Sequence, residues 1–369
     1  MARASSPAPR LLILCPFPVG VAAGQRLKYE QYLGDWGAQG WAVTVSPFMD
    51  QALWDVVYRS GNLFAKAIGT AKGVWRRWRD LLRMRRYDAV YVYISVSPIG
   101  STLIERLTRL LARRLIYDIE DNILDQSSAG RSINPIAALL RSTGKPRLLT
   151  QTADEVITAS PFLVDRCRAL NVHHQCSLIP PSVDTNRFVP GVHDATAIPV
   201  IGWTGTFSSE PYLDLLRPML QRLAQRVPFK LRVIGNFDYA LPGVDLDVVQ
   251  WTKATEVEDM QAIDIGLYPL PNDDWVLGKA GLKVIQYMAF GIPSVSSNVG
   301  TATLQVRHGE TGYLVDTEDE WISTLEMLVR DADLRARIGT AARAEAVRHY
   351  SRHAVAGKYR TILDRVRPR

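Results

Sequence analysis

The chain has 369 residues, 47% of them hydrophobic and 22% charged, with 44 Lys and Arg against 37 Asp and Glu for a formal net charge of +7. This is ordinary globular usage, which excludes disordered, collagen-like and coiled-coil classes, and the length calls for two domains with a core each. The excess charge is local: residues 1–195 hold 24 basic and 16 acidic side chains, and residues 196–369 hold 20 and 21.

In chain order, residues 11–15 form a short apolar run of branched residues stopped by Pro16, read as a strand buried on both faces. A helical pattern over 27–36 leads through Gly37 and Gly40 to a second strand at 41–45. Strands recur at 89–94, 114–117 and 155–159, separated by helical stretches, which is the rhythm of βαβ units in a doubly wound parallel sheet. A segment rich in Pro and polar residues, 179–199, marks a domain boundary. The rhythm then restarts with strands at 200–203, 229–234, 248–251, 263–267 and 293–296, and 318–347 is helical. The predicted division is a domain over 1–195, a second over 196–350, and a C-terminal helix over 351–369 that packs back on the first domain.

Cys15, Cys167 and Cys176 are too few and too scattered for a disulfide framework or a metal knuckle, and are read as reduced, buried thiols. The run at 11–15 is too short for a signal-peptide core, and no apolar run approaches the ~20 residues of a membrane span. The expected place is the cytoplasm, at the inner face of the membrane without crossing it. Residues 64–86 hold eight basic side chains and one acidic. Phe64, Ile68, Ala71, Trp75, Trp78 and Leu82 fall at intervals of three and four, one helix face, flanked by Lys72, Arg76, Arg79 and Arg83. Such a helix either packs that stripe on the sheet or lays it on anionic lipid. Nucleic acid is the weaker reading, since no recognition motif accompanies the charge.

Four stretches resemble the GT-B glycosyltransferases, and within them the family 4-like retaining enzymes (glycosyl transferases group 1). The first is Gly20-Val21-Ala22-Ala23-Gly24-Gln25-Arg26, a small-residue loop after the first strand. The second is Ile179-Pro180-Pro181-Ser182-Val183-Asp184-Thr185-Asn186-Arg187-Phe188. The third is Ile201-Gly202-Trp203-Thr204-Gly205-Thr206. The fourth runs from Asp264 through Gly278-Lys279-Ala280-Gly281-Leu282-Lys283-Val284-Ile285-Gln286-Tyr287-Met288-Ala289 and on to Tyr313. The resemblance implies an α/β GT-B fold, two Rossmann-like doubly wound domains facing across a cleft. It also implies a nucleotide-sugar donor as co-substrate, a glycan or lipid-linked acceptor, and retention at the anomeric carbon. No cofactor and no metal is implied, and the adjacent His173 and His174 cannot easily both face one ion.

A diphosphate leaving group needs positive potential and backbone N–H donors, which glycine-rich loops at helix N-termini supply. The donor-binding candidates are therefore Gly205, Thr206, Lys279, Lys283 and Gln286. Lys283 and Gln286 are three apart and share a helix face over a stripe of Leu282, Ile285 and Ala289. Either lysine is expected to meet the diphosphate and Gln286 to hold the ribose hydroxyls. The chain departs from the family where two Glu stand eight positions apart: Gly278 and Gln286 hold those places. After Gly205 it also lacks the family's Arg and Lys. On the acceptor side the candidates are Gly24 and Arg26. Asp118 and Asp121, in Tyr117-Asp118-Ile119-Glu120-Asp121 at the C-terminal end of a predicted strand, are the catalytic candidates, with capping and loop solvation as the competing reading. Two other functions stay open: a GT-B protein that binds a partner or membrane without catalysis, and a nucleotide-sugar epimerase of the same fold. An NAD-dependent oxidoreductase is disfavoured because Gly-x-Gly-x-x-Gly is missing after the first strand.

Overall fold

A computed structural model describes residues 8–98, 100–124, 144–192 and 197–368; part of the Pro-rich boundary stretch lies outside them. The chain divides into two compact units. The first comprises Met1–Pro180, Gly278–Ala280 and Ala356–Arg369; the second comprises Pro181–Leu277 and Gly281–Val355.

The first unit is a parallel sheet of β1 (Arg10–Cys15), β2 (Ala42–Pro47), β3 (Ala89–Tyr93), β4 (Leu115–Ile119), β5 (Glu155–Thr158) and β6 (Cys176–Leu178), in the order β2-β1-β3-β4-β5-β6. Every residue from Leu11 to Cys15 is buried, as a central strand covered on both faces requires. Helices α1 (Ala23–Lys28) and α2 (Leu33–Ala38) follow β1. Helices α3 (Gln51–Val57) and α4 (Leu63–Arg83) follow β2, and α5 (Leu103–Leu111) joins β3 to β4. One sheet face packs Leu12, Leu14, Val90, Val92, Leu115 and Tyr117 against Leu81 of α4 and Ile104 of α5. The other carries an aromatic cluster. Tyr29 lies 5.4 Å from Tyr91 and 5.3 Å from Tyr93, and the Tyr359 ring of the C-terminal helix (Arg352–Val366) lies 4.9 Å from Tyr32 and 5.6 Å from Trp36.

The structure decides how α4 is turned. The apolar stripe read from the sequence points outward: Phe64 is 80% exposed, Trp75 65% and Leu82 87%, with Ile68, Ala71 and Trp78 also exposed. Two glycines face inward instead. A Cβ on Gly69 would stand 2.9 Å from the Leu53 side chain, and one on Gly73 2.7 Å from the Phe48 ring. Beside them Arg77 is buried and donates to the carbonyls of Cys15 (2.9 Å) and Val96 (2.6 Å) and to Asp80 (3.1 Å). Close approach through glycine and a buried ion pair, rather than the apolar stripe, seats this helix.

The second unit is again a parallel six-stranded sheet: β7 (Val200–Thr204), β8 (Lys230–Gly235), β9 (Asp245–Gln250), β10 (Ile265–Tyr268), β11 (Ser294–Ser297) and β12 (Gly312–Val315), ordered β12-β11-β10-β7-β8-β9. The helical stretch expected over 318–347 is two helices, Glu318–Arg330 and Ala332–Glu345. Asp331 breaks it and caps the second by accepting from Leu334 N at 2.8 Å. The Ile179-to-Phe188 motif is anchored here by Arg343, which donates to the carbonyls of Thr185, Phe188 and Ala289. Phe188 itself packs edge-on against Phe290 at 5.2 Å.

Candidate functional site

In the first unit, the C-terminal ends of β1, β3 and β4 bring the acceptor-side candidates together. The loop after β1 is held by Glu30, whose carboxylate accepts from Gly20 N at 2.8 Å and from Gln25 Nε2 at 2.6 Å. This fixes the entry to α1, where Gly24 lies so close to β4 that a Cβ would stand 2.7 Å from Glu120 Oε2 and 3.1 Å from the Tyr93 hydroxyl. Arg26, two residues on, is buried.

Asp118 does not sit at this edge as an open carboxylate. It is 0% exposed, accepts the Lys28 ammonium as a buried ion pair, and accepts the Tyr91 hydroxyl as well. Burial pushes its carboxyl up, against the opposing pull of Lys28 and Tyr91. The expectation that Asp118 meets substrate is therefore corrected: position 118 lies within β4 and turns its side chain into the aromatic cluster. The carboxylates past the strand end are Glu120 and Asp121. The Tyr93 hydroxyl donates to Glu120 at 2.7 Å. Burial pushes Glu120 up to about 7, opposed by Lys28 and Tyr93 and reinforced by the charges of Asp118 and Asp121. Asp121 is half-buried in the turn after β4.

Ile94, expected as the last residue of a strand, instead turns the chain at φ +60°, a conformation a β-branched residue seldom takes. It is held there by Ile94 N donating to Asp118 O at 2.8 Å and by the Tyr117 hydroxyl donating to Ile94 O at 2.9 Å. Strain kept in place by such bonds is typical of binding edges. Neither Ile94 nor Glu120 was singled out from sequence, because both depend on pairing across strands.

In the second unit the donor-side candidates converge from β7, β10 and the helix Leu282–Ala289. Gly205 follows β7 where a Cβ would meet the Trp203 ring at 2.1 Å and Ser209 Oγ at 2.6 Å. The next amides are occupied. Thr206 N donates to Ser209 Oγ at 3.1 Å and Phe207 N to Asn236 Oδ1 at 3.0 Å, and the helix that follows, Glu210–Asp214, has only five residues. The expectation that this loop offers free backbone donors to a diphosphate is thus corrected.

Positive charge comes instead from Lys283, whose ammonium lies 4.8 Å from the Trp203 ring centre and 6.0 Å from that of Tyr268. Its helix opens at Gly281 (φ +69°), where a Cβ would collide with Gln305. It is tied to the sheet by the Tyr287 hydroxyl, which donates to Leu267 O at 3.2 Å and Gly202 O at 3.3 Å. Gln286 follows Lys283 by three positions on this helix, which is buried well beyond the three-residue stripe expected. Lys279 belongs with Gly278–Ala280 to the first unit, so the two candidate lysines fall in different units. Among the described residues no three His, Cys, Asp or Glu side chains converge as metal ligands, and no helix is long and apolar enough to cross a membrane.

Residues 198–331, which hold all of these second-unit features, match the family model for glycosyl transferases group 1. Over 97% of its length the chain superposes on 98% of a sucrose-phosphate synthase from Thermosynechococcus elongatus with a TM-score of 0.71 at 17% identity. Over 96% it superposes on 99% of Anabaena HepE, solved with UDP and glucose, with a TM-score of 0.67 at 14% identity. The chain has the GT-B fold. At these identities the structural likeness is one of fold. Among curated relatives, D-inositol 3-phosphate glycosyltransferase of Stackebrandtia nassauensis is 28% identical over 252 residues, 59% of this chain and 54% of that protein. N-acetyl-alpha-D-glucosaminyl L-malate synthase of Bacillus anthracis is 29% identical over 84 residues, 22% of each. The chain spans about half the length, or less, of the curated relatives it matches. Gly205, Thr206, Lys283 and Gln286 all lie within the matched residues.

Proposed function

We propose that the protein is a retaining glycosyltransferase that moves a sugar from a nucleotide-sugar donor to a glycan or lipid-linked acceptor at the cytoplasmic face of the membrane. The observation that carries this reading is the group 1 match over 198–331, centred on a lysine lodged against aromatic rings in the donor-side unit. The Lys283 ammonium over Trp203 is partly withdrawn from water, which strengthens its attraction for a diphosphate. Gln286, three positions on, both donates to and accepts from ribose hydroxyls. The missing side chain at Gly205, beside Thr206, makes room for the Trp203 ring on which Lys283 rests. Gly24 and Arg26 serve the acceptor, with Asp121 orienting its hydroxyl. Asp118 acts indirectly, by fixing Lys28 and Tyr91 behind that edge. Retention requires attack and departure on one face of the sugar, and no cofactor or metal enters this reading. The outward stripe and basic residues of 64–86 dock the protein on an anionic membrane.

Isothermal titration with UDP and GDP, followed by a screen of nucleotide sugars, tests the proposal. One nucleotide should bind, and Lys283→Ala should weaken it about ten- to a hundredfold, the worth of a charge-assisted contact. Failure to bind either nucleotide overturns the transferase and leaves a GT-B protein that binds a partner without catalysis. UDP or GDP release that requires an acceptor separates transfer from epimerisation.

A further inference from the structure

Helix α5 carries a second outward stripe that the charge and periodicity of 64–86 do not reveal. Leu103 is 51% exposed and Leu110 71%, with Arg106 exposed on the same face at spacings of three and four. Its inward face holds Ile104, Glu105 and Thr108, all buried. α4 and α5 are adjacent crossovers, β2 to β3 and β3 to β4, and pack into one core against the same sheet face. Their outward faces therefore look away from the sheet in the same direction, with axes on the order of 10 Å apart.

Neither helix turns a carboxylate of its own outward. The only acidic residues within α4 and α5 are Asp80 and Glu105. Both are 0% exposed and are paired inward, Asp80 with Arg77 at 3.1 Å and Glu105 with Lys145 at 3.5 Å. What remains outside is Phe64, Ile68, Trp75, Trp78 and Leu82 of α4, Leu103 and Leu110 of α5, and cations set among them. Arg79 lies over the Trp75 ring at 5.4 Å. Large apolar side chains interleaved with cations, on helices whose own carboxylates are turned inward, fit acyl chains beneath anionic headgroups. A nucleic-acid surface would have no use for the aliphatic residues, and a monomer in water does not leave so wide an apolar face uncovered without function.

We propose that α5 is a second membrane-contact element. Leu103 and Leu110 enter the acyl boundary beside Trp75, Trp78 and Leu82 while Arg106 meets anionic phospholipid headgroups, so the docking surface is two helices wide. The inference rests on the reading of 64–86 as a membrane-docking segment. The test is co-sedimentation of the full chain with vesicles of equal parts phosphatidylglycerol and phosphatidylcholine, and with phosphatidylcholine alone. Leu103→Ser with Leu110→Ser should lower the partition onto the mixed vesicles at least tenfold. An unchanged circular dichroism spectrum and melting midpoint would show that the fold is kept. Wild-type partition in that variant, alongside loss in Trp75→Ser with Leu82→Ser, overturns the role of α5 and leaves the α4 reading standing. Absence of wild-type binding to the mixed vesicles overturns both, as does tight binding to duplex DNA without vesicle binding.

Discussion

Glu120 follows β4 with its carboxyl against the Tyr93 hydroxyl and the bare backbone of Gly24, and its raised proton affinity has a consequence for stability. The folded chain holds this proton up to about pH 7, whereas the unfolded chain releases it near the ordinary 4.5. Stability from this group is thus fully present below about 4.5 and is lost as pH rises towards 7. Glu120→Gln, neutral throughout, should abolish that loss while still accepting from Tyr93. In urea titrations the variant should match the wild type near pH 4.5 and exceed it near pH 8, by up to about 3 kcal/mol at ~1.4 kcal/mol per unit. Equal stability at both pH values would show that Glu120 titrates normally. Among single residues, the sequence marks Lys283 and Gln286 through a motif, but not what Lys283 touches. Trp203 lies eighty positions away and meets the lysine only once β7 and the helix Leu282–Ala289 have packed. Asp118 and Glu120 show the same limit. They are two residues apart, one within β4 and one just past its end, yet only burial tells the enclosed carboxylate from the one at the edge.

At the scale of elements, α4 shows how far periodicity reaches. Spacing of three and four marks an apolar stripe but not which side of the helix meets the sheet. Gly69 and Gly73, on the opposite side and four apart, were the available signal, since small residues allow close helix approach. Arg77 then closes the contact, and its removal defines a prediction. Arg77→Met should destabilise the first unit by about 3 kcal/mol, because Asp80 loses a buried partner and the Cys15 and Val96 carbonyls lose their donor. Adding Asp80→Leu should recover part of that loss in chemical denaturation. If the double variant is the weaker, the ion pair is not what seats the helix. Strands are the elements most readily read from sequence, because buried parallel strands are continuous apolar runs bounded by Pro and Gly. Those missed are β6, three residues that are not fully buried, and β12, which opens on Gly312 and so shows only a three-residue apolar run.

At the scale of the whole molecule, the first unit depends on residues that close the chain. Tyr359 stacks among Tyr32 and Trp36, and Arg365 pairs with Glu155 at 3.1 Å. Deleting 356–369 should leave 197–355 resistant to limited proteolysis while cleavage appears throughout 8–180, read by mass spectrometry of the fragments. Resistance across both regions would show that the C-terminal helix is dispensable. The sequence announces this helix, but its partners lie more than two hundred positions away, beyond any local pattern.

That discontinuity sets an order of events during synthesis. The second unit is closed once residue 355 has left the ribosome, but the first, whose strands emerge earliest, still lacks its last helix. At ~5–20 residues per second, roughly ten to forty seconds separate the synthesis of Pro180 from that of the last residue. Throughout that interval the Tyr32 and Trp36 rings lack the Tyr359 cover they have in the finished fold. The first unit is therefore begun before the second and finished after it, and a nascent chain stalled after residue 355 would present this aromatic face to holding chaperones.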